Sequence, residues 1–211
     1  MIRLDIFSDP VCPWCYIGKA HLDRALEARG DHPFAIEWHP FQLNPDMAPG
    51  GMDRATYLAA KFGGKAQAVQ IYARVEEAAR AAGLVIDFAR IPRIPNTLDA
   101  HRLIHWAGLE QRQTPMKAAL LRAYWRDGRD IGDAGTLADI AGEVGLDRAV
   151  MARLLASDAD RDTITARDAH ARARGITAVP SFVIADQHVL SGAQPPALWG
   201  QLIAELESAA R

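Results

Sequence analysis

The sequence predicts an α/β fold in which an all-helical stretch interrupts a small sheet. Three observations carry that prediction. Residues 2–8 place Ile2, Leu4 and Ile6 on one face against Arg3, Asp5 and Phe7 on the other, the two-residue period of a strand. Residues 45–161 show almost no strand signal and repeated helical spacing rich in Ala, Leu and Arg. The chain after Gly175 returns to mixed strand and helix. At 211 residues the protein can bury a sizeable core.

The first strand ends in the short loop Ser8-Asp9-Pro10-Val11. Ile17, Leu22, Ala25 and Leu26 then recur at helical spacing, and Gly30 supplies the stop. Phe34, Ile36 and Trp38 alternate as a second strand that Pro40 ends, giving a strand-helix-strand unit and a parallel pair. Helices follow over Arg54–Phe62, Ala66–Ala82, Leu98–Ala107, Pro115–Arg126, Leu137–Val144 and Arg148–Leu155. Gly83 and Gly145 mark C-terminal ends, Thr97, Thr136 and Asp147 read as N-caps, and Pro115 as a first helical position. Leu84–Phe88 is too short and isolated to assign. A helix closing at Gly175, strands Ser181–Ala185 and His188–Leu190 around a turn at Asp186-Gln187, and a helix Pro196–Ala209 complete the chain. Without its middle the order is thioredoxin-like. The expected organisation is therefore a discontinuous thioredoxin-like domain, residues 1–44 and 162–211, with a helical insertion domain at 45–161.

Composition narrows the function. The 24 basic and 26 acidic residues are finely mixed, with no basic block that would indicate nucleic acid. No run of apolar residues reaches the length of a membrane span. The N-terminus enters a strand at once, without the basic and apolar regions of a secretory signal, so the expected location is cytoplasmic. Monomer and homodimer remain open.

Only two cysteines are present, in Cys12-Pro13-Trp14-Cys15. Disulfide exchange needs one thiolate to attack and a second thiol in reach to resolve the mixed disulfide. Two intervening residues at a helix start meet both needs. The free N–H groups and helix dipole favour a Cys12 thiolate, Cys15 lies one turn further in, and Pro13 sits where a missing N–H costs nothing. Zinc would require two further ligands, and no histidine pair supplies them. His101 and His105 share a helical face, but Arg102 stands where a zinc protease of the His-Glu-x-x-His type carries Glu. No metal is expected. Pro180, after Val179 and before the strand Ser181–Ile184, suits a cis bond that would present a flat backbone edge beside Cys12. In a reducing compartment such a pair is expected to cycle.

The strings Ser8–Lys19, Trp38–Pro45, Pro95–Arg102 and Gly175–Ile184, spread over nearly the whole chain, resemble the DsbA-like thioredoxin family. Within it they are most similar to the cytoplasmic, FrnE-like branch related to 2-hydroxychromene-2-carboxylate isomerases and kappa-class glutathione transferases. The resemblance implies Cys12 as nucleophile, Cys15 as resolving thiol and Pro180 as the cis-proline. It further implies Asp5 as an acidic residue buried beneath the second cysteine, and Asn96 and Thr97 beside the site. Trp38, Phe41 and Leu43 are candidates to line an apolar substrate groove. DsbA carries His at the place of Trp14, and indole offers no positive charge, so Cys12 should be less acidic than the DsbA nucleophile. The expected activity is protein dithiol-disulfide exchange with protein or small-molecule thiols and disulfides. No cofactor is expected, and glutathione enters as an exchange partner. The alternative is a glutathione-dependent isomerase or transferase acting on small aromatic compounds. Those relatives generally place Ser at the Cys12 position, and Cys15 would have no use there.

Overall fold

The computed structural model describes residues 1–209. Strands β1 (Ile2–Ser8), β2 (Phe34–Pro40), β5 (Ser181–Ile184) and β6 (His188–Ser191) form one sheet in the order β2-β1-β5-β6. β1 and β2 run parallel, joined by helix α1 (Pro13–Arg29), while β5 and β6 are antiparallel to their neighbours. The thioredoxin-like α/β class with helical insertion is the fold observed.

The turn between β5 and β6 has both central residues, Ala185 and Asp186, at positive φ, and the Gln187 N–H donates to the Ile184 carbonyl. That geometry twists with the strands it joins.

Register explains the layering. Ile2, Leu4 and Ile6 oppose Phe34, Ile36 and Trp38, and Ile6 and Leu4 oppose Phe182 and Ile184. This face packs on Leu22 and Leu26 of α1 and on Trp199 and Ile203 of the last helix, α9 (Pro196–Ala209). On the other face Phe7 joins Phe41, Val183 and Ala171, the last on helix α8 (Arg161–Ala173). β1 is buried on both sides because helices cover both.

The insertion contains α2 (Arg54–Phe62), α3 (Lys65–Ala81), α4 (Leu98–Leu109), α5 (Gln113–Trp125), α6 (Ala134–Glu143) and α7 (Arg148–Leu155). It also holds a strand pair missed in the sequence, β3 (Met52–Asp53) with β4 (Arg93–Ile94), too short for a visible period. Leu103, Leu120, Leu121 and Trp125 share one buried cluster with Leu4, Ile6 and Trp38. The Trp125 indole N–H donates to the Pro10 carbonyl at 3.0 Å, tying α5 to the loop before Cys12.

Two helix starts differ from the expectation. α6 begins at Ala134, and Asp133 is its cap, accepting from the Thr136 N–H at 2.7 Å, so Thr136 lies inside the helix. α5 begins at Gln113, which makes Pro115 its third residue, still within the first turn where an N–H has no helical partner. Among the described residues no helix is long and apolar enough to cross a membrane.

Candidate active site

Cys12 is the N-cap of α1, with Pro13 as the first helical residue, and its backbone carbonyl accepts from the N–H groups of Cys15 (3.1 Å) and Tyr16 (3.3 Å). Its side chain makes no cap bond, which leaves the sulfur free. The Val179–Pro180 bond is cis, and Cys12 Sγ lies 3.5 Å from the Val179 carbonyl oxygen. Gly18 permits this approach: a Cβ there would come within 3.0 Å of Pro180 Cγ.

Cys12 opens onto a cleft of about 300 Å³, which Cys15 does not line. Its walls include Trp14, Leu43, Tyr57, Lys61 and Tyr72, with Thr177, Ala178 and Val179 opposite. Trp14 is 39 % exposed at the rim. The Lys61 ammonium donates to Tyr57 Oη at 2.5 Å, and that hydroxyl donates to Asn44 Oδ1 at 2.7 Å.

Behind the sulfurs lies a group of buried polar side chains the sequence reading missed. Asp9 is fully buried, accepting from Leu43 N–H at 2.7 Å and Val11 N–H at 3.4 Å. His101 of α4 brings Nε2 to 3.7 Å from Asp9 Oδ1, too far for a hydrogen bond, and that nitrogen has no other partner. Lys117 of α5 is 1 % exposed, its ammonium 5.7 Å from the Trp38 ring centroid. Burial opposes ionisation of Asp9, but His101, the Leu43 N–H and Lys117 together hold its carboxyl below the usual range. Burial lowers His101, against the pull of the Asp9 carboxylate, and burial lowers Lys117 to about 8.

These groups alter the expected charge distribution. The Cys12 thiol is pushed well above its ordinary value by its hydrogen bond to Cys15, by burial and by the Asp9 charge. Burial opposes a Cys15 thiolate too, but the bond from Cys12 and the Lys117 charge outweigh it and lower that thiol. The buried Ser8 hydroxyl, with no other partner, adds a donor toward Cys15. The helix start was expected to put the charge on Cys12. In the structure the balance tilts toward Cys15, because the Lys117 charge favours a thiolate there and the Asp9 charge opposes one on Cys12.

Several other residues lie away from the sulfurs. Asp5 is buried, but on the sheet face opposite Leu4 and Ile6, where His39 Nε2–H donates to it at 2.7 Å and Arg3 at 2.9 Å. It therefore does not sit beneath Cys15; the buried carboxylate near the pair is Asp9. Asp5, Glu37 and His39 bring ligand-type atoms within 4.8 Å of one another, the one such grouping among the described residues. Arg167 donates to Glu37 and to His39 Nδ1, so guanidinium groups already answer these charges. Phe41 belongs to the Phe7 cluster, outside the cleft. Trp38 is core, its indole N–H donating to Thr114. Asn96 and Thr97 are also outside the cleft. Thr97 holds the N-cap position without a side-chain cap bond; Asn96 Oδ1 accepts from the Leu98 N–H instead, at 2.9 Å.

Because Cys12 alone faces the cleft, a small alkylating reagent at neutral pH is expected to label it first. Peptide mass mapping of the first adduct checks this, and preferential labelling of Cys15 would refute the assignment.

Comparison with known proteins places the fold. The structure of a probable DsbA oxidoreductase, SCO1869 of Streptomyces coelicolor, superimposes with a TM-score of 0.87 at 31 % identity, covering 99 % of this chain and 91 % of that one. YwbO of Bacillus subtilis (strain 168), itself uncharacterized, is 28 % identical over 193 residues, 91 % of this chain and 90 % of YwbO. The cytosolic disulfide reductase DsbM of Pseudomonas aeruginosa, solved with GSH, shares the fold with a TM-score of 0.67 at 18 % identity, over 98 % of this chain and 99 % of DsbM. A family model, the DSBA-like thioredoxin domain, matches residues 3–204, so nearly the whole chain, insertion included, belongs to the DsbA-like thioredoxin family.

Proposed function

We propose that this protein is a thiol–disulfide oxidoreductase working through Cys12 and Cys15. The observation that supports this best is the division of the pair: one sulfur faces a cleft beside the Val179 carbonyl, and the other is hydrogen-bonded behind it next to a buried lysine. When a substrate disulfide enters, the proton shared between the sulfurs moves to Cys15 and the Cys12 thiolate attacks. A Cys12–substrate disulfide forms, and the first substrate thiolate leaves and takes up a proton. Cys15, deprotonated with the help of Lys117, then attacks Cys12 Sγ, closes the Cys12–Cys15 disulfide and releases the second substrate thiol. Run backward, the same steps oxidise a dithiol.

We place protein thiols and small thiols among the substrates, glutathione included, in a reducing cytoplasmic compartment. The cleft volume suits a small disulfide, and the Lys61 ammonium offers a seat for its carboxylate. The test is equilibration with glutathione, run beside reduction of a model protein disulfide and isomerisation of a small aromatic carboxylate. Exchange without isomerisation is the expected result, and isomerisation that survives Cys15→Ser would favour the isomerase reading. The potential should fall between about −270 mV and about −120 mV, the thioredoxin and DsbA values. Trp14→His, adding a cation at the rim, should make the couple more oxidising, and a shift toward reducing potentials would refute that role for the intervening residue.

A further inference from the structure

A second, larger cleft lies on the insertion, away from the cysteines. It encloses about 760 Å³ between α2, α3 and the 3₁₀ turn Phe88–Arg90. Leu58, Ala68, Val69, Tyr72, Phe88 and Ile91 give it apolar walls. Tyr72 also lines the Cys12 cleft, so one ring separates the two spaces.

Arg54 is the unusual residue in this cleft. Its guanidinium carbon lies 4.6 Å from the Tyr72 ring centroid and 4.9 Å from that of Phe88. Arg54 has no ion pair among the described residues, whereas Arg3, Arg102, Arg167 and Arg172 each bond a carboxylate. The acids that share the cleft are otherwise engaged: Asp53 caps α2 by accepting from the Thr56 N–H at 2.8 Å, and Glu76 pairs with Arg80 at 3.1 Å. Arg54 Nε is buried and has no hydrogen-bond partner. A buried donor left unmade is costly, and stacking on two rings fixes the guanidinium without satisfying that N–H. The terminal nitrogens bond no other side chain or carbonyl among the described residues and stay accessible, so a carboxylate in the cleft can accept from both, the two-bond geometry that guanidinium favours.

We propose that this cleft binds a small amphipathic anion, an apolar body carrying one carboxylate, with the carboxylate on Arg54 and the body between Leu58, Val69 and Phe88. The site is separate from the sulfurs and does not rest on the redox reading.

The test titrates the full chain with octanoate and with 1-octanol, its neutral counterpart, following backbone amide shifts by NMR. Octanoate is expected to saturate with shifts confined to residues 54–73 and 88–92, binding about tenfold or more tighter than octanol, since a charge-assisted hydrogen bond adds about 1.5 kcal/mol or more. Arg54→Met keeps an apolar stem on the two rings and should erase the preference while octanol still binds. Val69→Glu, at an exposed rim position, should weaken octanoate more than octanol and covers the case of an unstable Arg54 variant. Blocking Cys12 with methyl methanethiosulfonate should leave octanoate binding unchanged. Equal affinity for acid and alcohol, absence of saturable shifts, or shifts centred on Thr177–Val179 would overturn the proposal.

Discussion

Cys12→Ser is expected to reduce disulfide exchange to the uncatalysed background, while Cys15→Ser stops turnover at a different point. Without Cys12 no sulfur lines the cleft, and Cys15 is 1 % exposed behind it. A hydroxyl at position 12 cannot serve as the attacking group, because the nucleophile in exchange is a thiolate. With Cys15 replaced, Cys12 still attacks but nothing resolves the product. The variant should therefore accumulate a covalent adduct, seen as a mass increase equal to the substrate thiol minus two hydrogens and reversed by dithiothreitol. Turnover by Cys12→Ser, or a Cys15→Ser variant that cycles normally without adduct, would remove Cys12 from the nucleophile's role.

Lys117→Met should change both redox poise and stability. The Lys117 charge favours the Cys15 thiolate, so its removal raises that thiol, weakens the reduced form and makes the potential more negative. Each unit of thiol shift corresponds to at most about 30 mV on a two-electron couple. Lys117→Arg, which keeps the charge, should restore most of the potential, a rescue that a packing role alone does not explain. The stability effect has its own sign. Lys117 is held at about 8, below the ordinary lysine value, so the unfolded chain binds its proton more tightly. Its contribution is most favourable above the unfolded value and is lost as pH falls through about 8. Near pH 7 the buried ammonium then costs about 3 kcal/mol, a net figure that already includes its attraction to Cys15 and Asp9. The reduced Lys117→Met protein should be the more stable near pH 7, with its advantage shrinking as pH rises through the alkaline range. Chemical denaturation of both reduced proteins across that range checks it, and a constant difference would show that Lys117 does not titrate as described.

The four sheet strands, their order along the chain and most helices were legible because their periods are long or regular: β1 alternates cleanly, and α7 runs from Arg148 to Leu155 as its spacing indicates. The cysteine pair and the cis-proline stand out as local strings. The polar group behind the sulfurs was not legible, because Asp9, His101 and Lys117 come from a loop and two helices that only the tertiary fold brings together. One signal was available: Lys117 lies at helical spacing with Leu120, Leu121 and Tyr124, a lone charge on an otherwise apolar face. Asp5 misled because burial alone does not say on which side of a strand a carboxylate falls. A single residue of offset separates the face of Ser8 from that of Asp5.

The shared cluster that joins Leu4, Ile6 and Trp38 to Leu103, Leu120 and Trp125 sets unequal freedoms within the insertion. Helices α4 and α5 complete the core of the sheet, so a change on their inner faces reaches the loop that carries Cys12. Helix α2 buries Leu58 outside all three apolar clusters, while its Tyr57 and Lys61 face the cysteine cleft. Substitutions along α2 can therefore retune which molecules reach the sulfurs while the core stays as it is. In a library aimed at new substrates, α2 is the segment to randomise, and α4 and α5 are the ones to hold fixed.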